Sequence, residues 1–119
     1  MNVAIISAGT APIYYDSLEK CIDKLIETSG CYLFNILCGF VEGRTDGKPS
    51  LGEIYAKNNG APILYITEKT TEKLINKLFF KADYIFFLLD GDPFINKLFM
   101  RYKMTGKHGS AIKISNGKD

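Results

Sequence analysis

A chain of 119 residues, 46% hydrophobic and 24% charged, has room for one domain built on one core and is too apolar for a disordered segment. Fifteen Lys and Arg against thirteen Asp and Glu leave a net charge of +2, which excludes the strongly basic balance behind phosphate-backbone binding and argues against nucleic acid as a partner. The charge is unevenly spread, because the six basic residues from Lys97 to Lys118 have no acid among them.

The chain opens with MNVAIISAGT, which lacks a basic n-region and whose apolar run stops at Ser7 and Gly9. It reads as a first strand, Val3 to Ile6, and not as an export leader. Leu18, Cys21, Ile22, Leu25 and Ile26 share one helical face, with Asp16 and Glu19 in capping-box spacing before them and Gly30 after them. Leu33 to Cys38 is the second apolar run, suited to a strand buried on both faces. Ser50 and Glu53 form another capping-box pattern that starts a helix with Leu51, Ile54 and Tyr55 on its apolar stripe, closed by Asn58, Asn59 and Gly60. After Pro62 comes a third strand, Ile63 to Ile66, and after Thr70 or Thr71 a third helix with Leu74, Ile75, Leu78 and Phe79 inward. Tyr84 to Leu89 is the longest apolar run and far shorter than the roughly 18 residues of a membrane span. Asp92 and Pro93 read as N-cap and first-turn proline of a fourth helix, whose buried stripe is Ile95, Leu98, Phe99 and Tyr102. Ala111 to Ile114, interrupted by Lys113, is an edge strand.

Strand and helix thus alternate, which implies parallel strands, right-handed crossovers and a three-layer α/β sandwich of Rossmann type. With the most apolar strands, the first, second and fourth, in the middle, the expected order of the five-stranded sheet is 3-2-1-4-5. That order reverses between the first and fourth strands, and ligands of such sheets bind outside the carboxyl ends of the strands at this switch point. The loops Ser7 to Tyr15, Gly39 to Pro49 and Asp90 to Pro93 are expected to line it, which places Gly9, Thr10, Asp90 and Gly91 at the site.

Neither GxGxxG nor GxxxxGK[ST] follows a strand, so an ordinary dinucleotide enzyme or NTPase is excluded. The second loop carries Gly39, Gly43 and Gly47 with Arg44 and Lys48, ahead of a helix start at Ser50. Glycines there would let backbone N–H groups approach a phosphate, and the two cations would strengthen its grip; the same composition also describes a solvated loop. Glu53 is the one carboxylate with a plausible catalytic place, as a ribose holder or as an acid to a leaving base. Its spacing equally completes the capping box with Ser50. Asp90 is the candidate for a ribose hydroxyl, while Asp92 is read as a cap. Tyr14 and Tyr15 suit base stacking, a hydrophobic staple or a subunit contact. Cys21, Cys31 and Cys38 lack CxxC spacing, His108 has no partner at ligand spacing, and the expectation is reduced thiols in the cytoplasm, no metal and no cofactor.

The run GKPSLGEIYAKNNGAPI, Gly47 to Ile63, resembles the glycine-rich second motif of the YspA/YpsA-type branch of the SLOG superfamily. ADYIFFLLDGDP, Ala82 to Pro93, resembles that family's segment of Ala-Asp, apolar strand and Asp-Gly. The resemblance implies a Rossmann-like fold for nucleotides or nucleotide-derived ligands, with Gly9 in the first loop, Gly47, Ser50, Leu51, Gly52 and Glu53 in the second motif, and Asp90 and Gly91 at the fourth strand's end. It also implies a homo-oligomer. Thr10, Ala11 and Pro12 stand where members often carry an Arg, Pro49 stands for the motif's Asp, and Pro93 and Phe94 replace a Gly-Thr pair. Binding of a nucleotide-type small molecule, as a sensor or processing domain, is therefore the primary expectation. The alternatives are an N-glycosidic hydrolase of phosphoribohydrolase or deoxyribosyltransferase type and a ligand-free protein-interaction module.

Overall fold

A computed structural model describes residues 1–30, 33–43 and 49–114. The elements run β1 (Asn2–Ile6), α1 (Pro12–Ser29), β2 (Asn35–Val41), α2 (Leu51–Asn59), β3 (Ile63–Glu68), α3 (Thr71–Lys81), β4 (Tyr84–Leu89), α4 (Pro93–Lys103) and β5 (Gly109–Lys113). All neighbouring strands are parallel, and the sheet order is β3-β2-β1-β4-β5, as the distribution of apolar runs predicts.

The helices divide by sequence between the two faces. Val3, Ile36, Cys38, Phe86, Leu88 and Ile112 form one core with residues of α1 and α2. Ala4, Ile6, Leu37, Ile66, Ile85 and Phe87 form the other with residues of α3 and α4. Alternate residues of one strand serve opposite cores, which is why β4 reads as a continuous apolar run and not as an alternating one. The sandwich is therefore three-layered, with the sheet in the middle.

Two boundaries differ from the sequence expectation. Helix α1 begins at Pro12, with Ala11 as its N-cap, and the Asp16–Glu19 spacing falls inside it. Proline presets the helical φ and has no N–H to leave unbonded in the first turn, so it starts the helix a full turn before the polar pair. Strand β2 begins at Asn35 and runs on to Val41, while Leu33 remains 86% exposed. Its extension is held by β3, because Phe40 pairs with Thr67 and Val41 with Glu68. Gly39 is consequently inside a strand and not in a loop.

Two glycines let layers approach closely. A Cβ at Gly39 would come within 2.7 Å of Leu74 Cδ1 on α3, and one at Gly52 within 3.2 Å of Ile36 Cγ2 beneath α2. The remaining caps follow the sequence. Gly30 and Gly60 end α1 and α2 at φ of 69° and 66°, a region that favours glycine. Thr70 and Asp92 cap α3 and α4 through their side chains.

Candidate functional site

The chain moves to one side of β1 when it forms β2 and to the other side of β4 when it forms β5. In sheets with such a reversal ligands bind past the carboxyl ends of the flanking strands, here β1 and β4. After β1, the Ser7 hydroxyl donates to the Gly9 carbonyl at 2.7 Å and accepts from the Gly9 N–H at 3.2 Å, folding the loop back on itself. Pro12 then starts α1, which places Tyr14 in the first turn. The Tyr14 hydroxyl crosses the switch point and donates to Asp90 Oδ2 at 2.6 Å. Gly9 makes room for that ring, since a Cβ there would lie 2.6 Å from Tyr14 Cε2.

Asp90 follows β4 directly and also accepts the Asp92 N–H at 3.0 Å through Oδ1. Gly91 between them has a φ of 99°. The Tyr14 hydrogen bond is the main reason that the Asp90 carboxyl sits below its ordinary 3.8. Partial burial opposes this, and the Asp92 N–H supports it. The same bond raises the Tyr14 phenol above its ordinary 10.0. Asp92 is engaged elsewhere, accepting from Phe94 N at 2.8 Å and Ile95 N at 3.3 Å.

On the β2 side the capping box is complete. Glu53 N donates to Ser50 Oγ at 3.3 Å, and Ser50 N donates to Glu53 Oε1 at 3.1 Å. Glu53 is only 9% exposed, and its other oxygen accepts from the Tyr65 hydroxyl at 3.4 Å. The Ser50 hydroxyl lies 4.0 Å from Cys38 Sγ. Burial pushes the Cys38 thiol up to about 11; the Ser50 contact pulls the other way, and the Glu53 charge adds to the rise. A thiol so raised is protonated at neutral pH and is a packing group, not a nucleophile. The box uses two of the first-turn donors of α2 and does not use the N–H groups of Leu51 and Gly52.

The sequence matches no protein-family model, and no curated protein matches it.

The carboxyl end of the sheet thus gathers Gly9, Ser50, Glu53, Asp90 and Gly91 from the residues proposed by sequence. Thr10 is exposed in the β1–α1 loop, and Gly43 is an exposed turn glycine with a φ of 84° just after β2. Gly39 turns toward Leu74 and α3, away from the α2 helix start. Arg44, Gly47 and Lys48, with the central part of the glycine loop, lie outside the described residues, as does Cys31. His108 is exposed before β5. Among the described residues no group of three His, Cys, Asp or Glu side chains is placed to hold a metal ion, and no helix is long and apolar enough to cross a membrane.

One participant, Tyr65, and one contact, that of Tyr14 with Asp90, escaped sequence reasoning. Tyr65 reaches Glu53 because the β2–β3 register puts it opposite Cys38, a placement no local pattern announces. Tyr14 was legible as a residue of the first loop, but its bond to Asp90 depends on a strand pairing that spans most of the chain. Grooves of about 360 and 380 Å³ lie elsewhere, one at the amino end of β2 and β3 beside Tyr55 and Asn59, the other between α3 and α4 beside Ile75 and Phe94.

Proposed function

We propose that the chain binds a nucleotide or nucleotide-derived small molecule at the carboxyl end of the sheet, in the cytoplasm and as a homo-oligomer. The observation that carries this reading is the Asp90 carboxylate at the β1–β4 switch point, kept ionised by the Tyr14 hydroxyl and flanked by Gly9 and Gly91. An ionised carboxylate beside a crevice is an acceptor for sugar hydroxyls. The first-turn N–H groups of α2 that the capping box does not use, with the cations of the glycine loop, Arg44 and Lys48, would supply the complementary grip on a phosphate. Glu53 is committed to Ser50 and Tyr65, which favours binding over acid catalysis by that carboxyl.

The test is a thermal-shift panel of nucleoside monophosphates, cyclic nucleotides, ADP-ribose and NAD. A ligand at about a hundred times its Kd adds about 2.7 kcal/mol of stability. Asp90→Asn is expected to weaken that ligand about tenfold, the scale of one lost charge-assisted bond. Stabilisation by none of these compounds overturns the reading.

A further inference from the structure

Helices α3 and α4 lie on the same face of the sheet, α3 against β2 and β3 and α4 against β4. They touch toward their carboxyl ends, where Phe79 meets Tyr102 at 5.0 Å between ring centroids and Arg101 stands over the Phe79 ring at 5.5 Å. Toward their amino ends they leave a groove of about 380 Å³. Ile75 and Leu98, both buried, form its floor, and Phe94, 53% exposed in the first turn of α4, forms one wall. Thr71 lines it from the first turn of α3. A volume of this size lies at the low end of the range for small-molecule pockets, about 300 to 1,000 Å³.

The charges around this apolar trough are unequal. The Arg101 guanidinium pairs with Glu72 at 3.0 Å and also donates to Asn76 Oδ1, so the carboxylate on the groove is already neutralised. Lys97 is exposed at the groove and, among the described residues, has no carboxylate or hydrogen-bond partner. We infer that the groove binds a small amphipathic carboxylate, with a short alkyl chain or a single ring laid on Ile75, Phe94 and Leu98 and its one anionic group at the Lys97 ammonium.

The occupant follows from charge and chemistry. A cationic ligand would find the Glu72 carboxylate taken and Lys97 repelling it. A phosphate-rich ligand would carry more negative charge than one free lysine offsets. A peptide would bring backbone N–H and C=O groups for which the floor of Ile75 and Leu98 has no partner. A monocarboxylate satisfies both parts of the groove at once: its apolar body covers the half-exposed Phe94, and its anion gains a charge-assisted bond. The methylene stem of Lys97 lies along apolar surface in such a complex while its ammonium stays at the mouth. None of these residues belongs to the Asp90 site, so the inference goes beyond the nucleotide reading and does not depend on it.

The probe is octanoate, titrated into the isotope-labelled full chain and followed by backbone amide chemical shifts. Saturable shifts at Thr71, Ile75, Phe94 and Leu98 are expected, with a Kd of about 1 mM or tighter, the range for a ligand of about ten heavy atoms. Octanol keeps the chain and loses the charge, and acetate keeps the charge and loses the chain. Each is expected to bind at least about fivefold more weakly. Lys97→Glu changes an exposed helix position and is expected to keep the amide spectrum of a folded chain, to weaken octanoate at least about tenfold and to admit octylamine in its place. Phe94→Ala, also at an exposed position, is expected to weaken octanoate about fivefold through lost apolar contact. No saturable shift at the groove amides, or shifts centred on other residues, overturns the site. Octanol that binds as tightly as octanoate, or a Lys97→Glu chain that keeps wild-type affinity for octanoate, overturns the carboxylate as its ligand.

Discussion

Tyr14 and Asp90 stand 76 positions apart in sequence, and their hydrogen bond ties the first turn of α1 to the end of β4. Because the folded Asp90 carboxyl is held below its ordinary 3.8, its ionised form contributes stability that is complete above that value. The contribution is lost as pH falls through the lowered folded value. Tyr14→Phe is expected to cost about 1 kcal/mol at neutral pH, at the low end for a charge-assisted bond because the pair is solvent-screened. The difference from wild type is expected to shrink in acid, and the Asp90 titration followed by NMR is expected to move back up. A variant as stable as wild type at neutral pH would show the bond to contribute nothing. Local roles at this scale were legible: Asp92 as a cap and Ser50 with Glu53 as a capping box follow from spacing of two or three residues. The Tyr14–Asp90 and Tyr65–Glu53 contacts were not, since each requires knowing which strands are neighbours and in what register.

The lesson of the elements is that polar spacing and proline compete for helix starts. Ser50 precedes a helix with nothing else to begin it, and its box is realised in full. Asp16 and Glu19 have the same spacing, yet Pro12 starts α1 before them. The strands show a related limit. The apolar run at Leu33 overstated β2 at its start, and the pairing with β3 carried it beyond Cys38, so hydrophobicity located the strand and the neighbour set its length. Ser50→Ala removes the acceptor of the Glu53 N–H and opens the box. It is expected to lower stability by about 1 kcal/mol, seen as a lower urea midpoint with an unchanged slope. An unchanged midpoint would mean that packing of Leu51 and Tyr55 holds the first turn of α2 without its cap.

Across the whole molecule, the strand order was legible because burial on both faces demands continuous apolar sequence, and ranking the runs by apolar character puts β1, β2 and β4 in the middle. The chemistry of the site was less so, because the composition of the loop that carries Arg44, Gly47 and Lys48 fits either a ligand or solvent. The parallel pairing predicts an alternation in hydrogen exchange along β5. Ser110 and Ile112 bond toward β4 and are expected to exchange slowly, whereas Gly109, Ala111 and Lys113 face outward and are expected to exchange fast. Uniform protection along β5 would place a further chain on that edge.

The position of β1 also bears on how the molecule is made. One flank of β1 is filled by β2, but the other waits for β4, whose approach is anchored where Asp83, 81 positions away, accepts the Asn2 N–H. A nascent chain that has released only three strands from the ribosome therefore holds a half-built sheet with the apolar β1 as a raw margin. During that interval the unpaired margin is open to misassembly, and the arrival of Tyr84 to Leu89 is the event that ends the exposure.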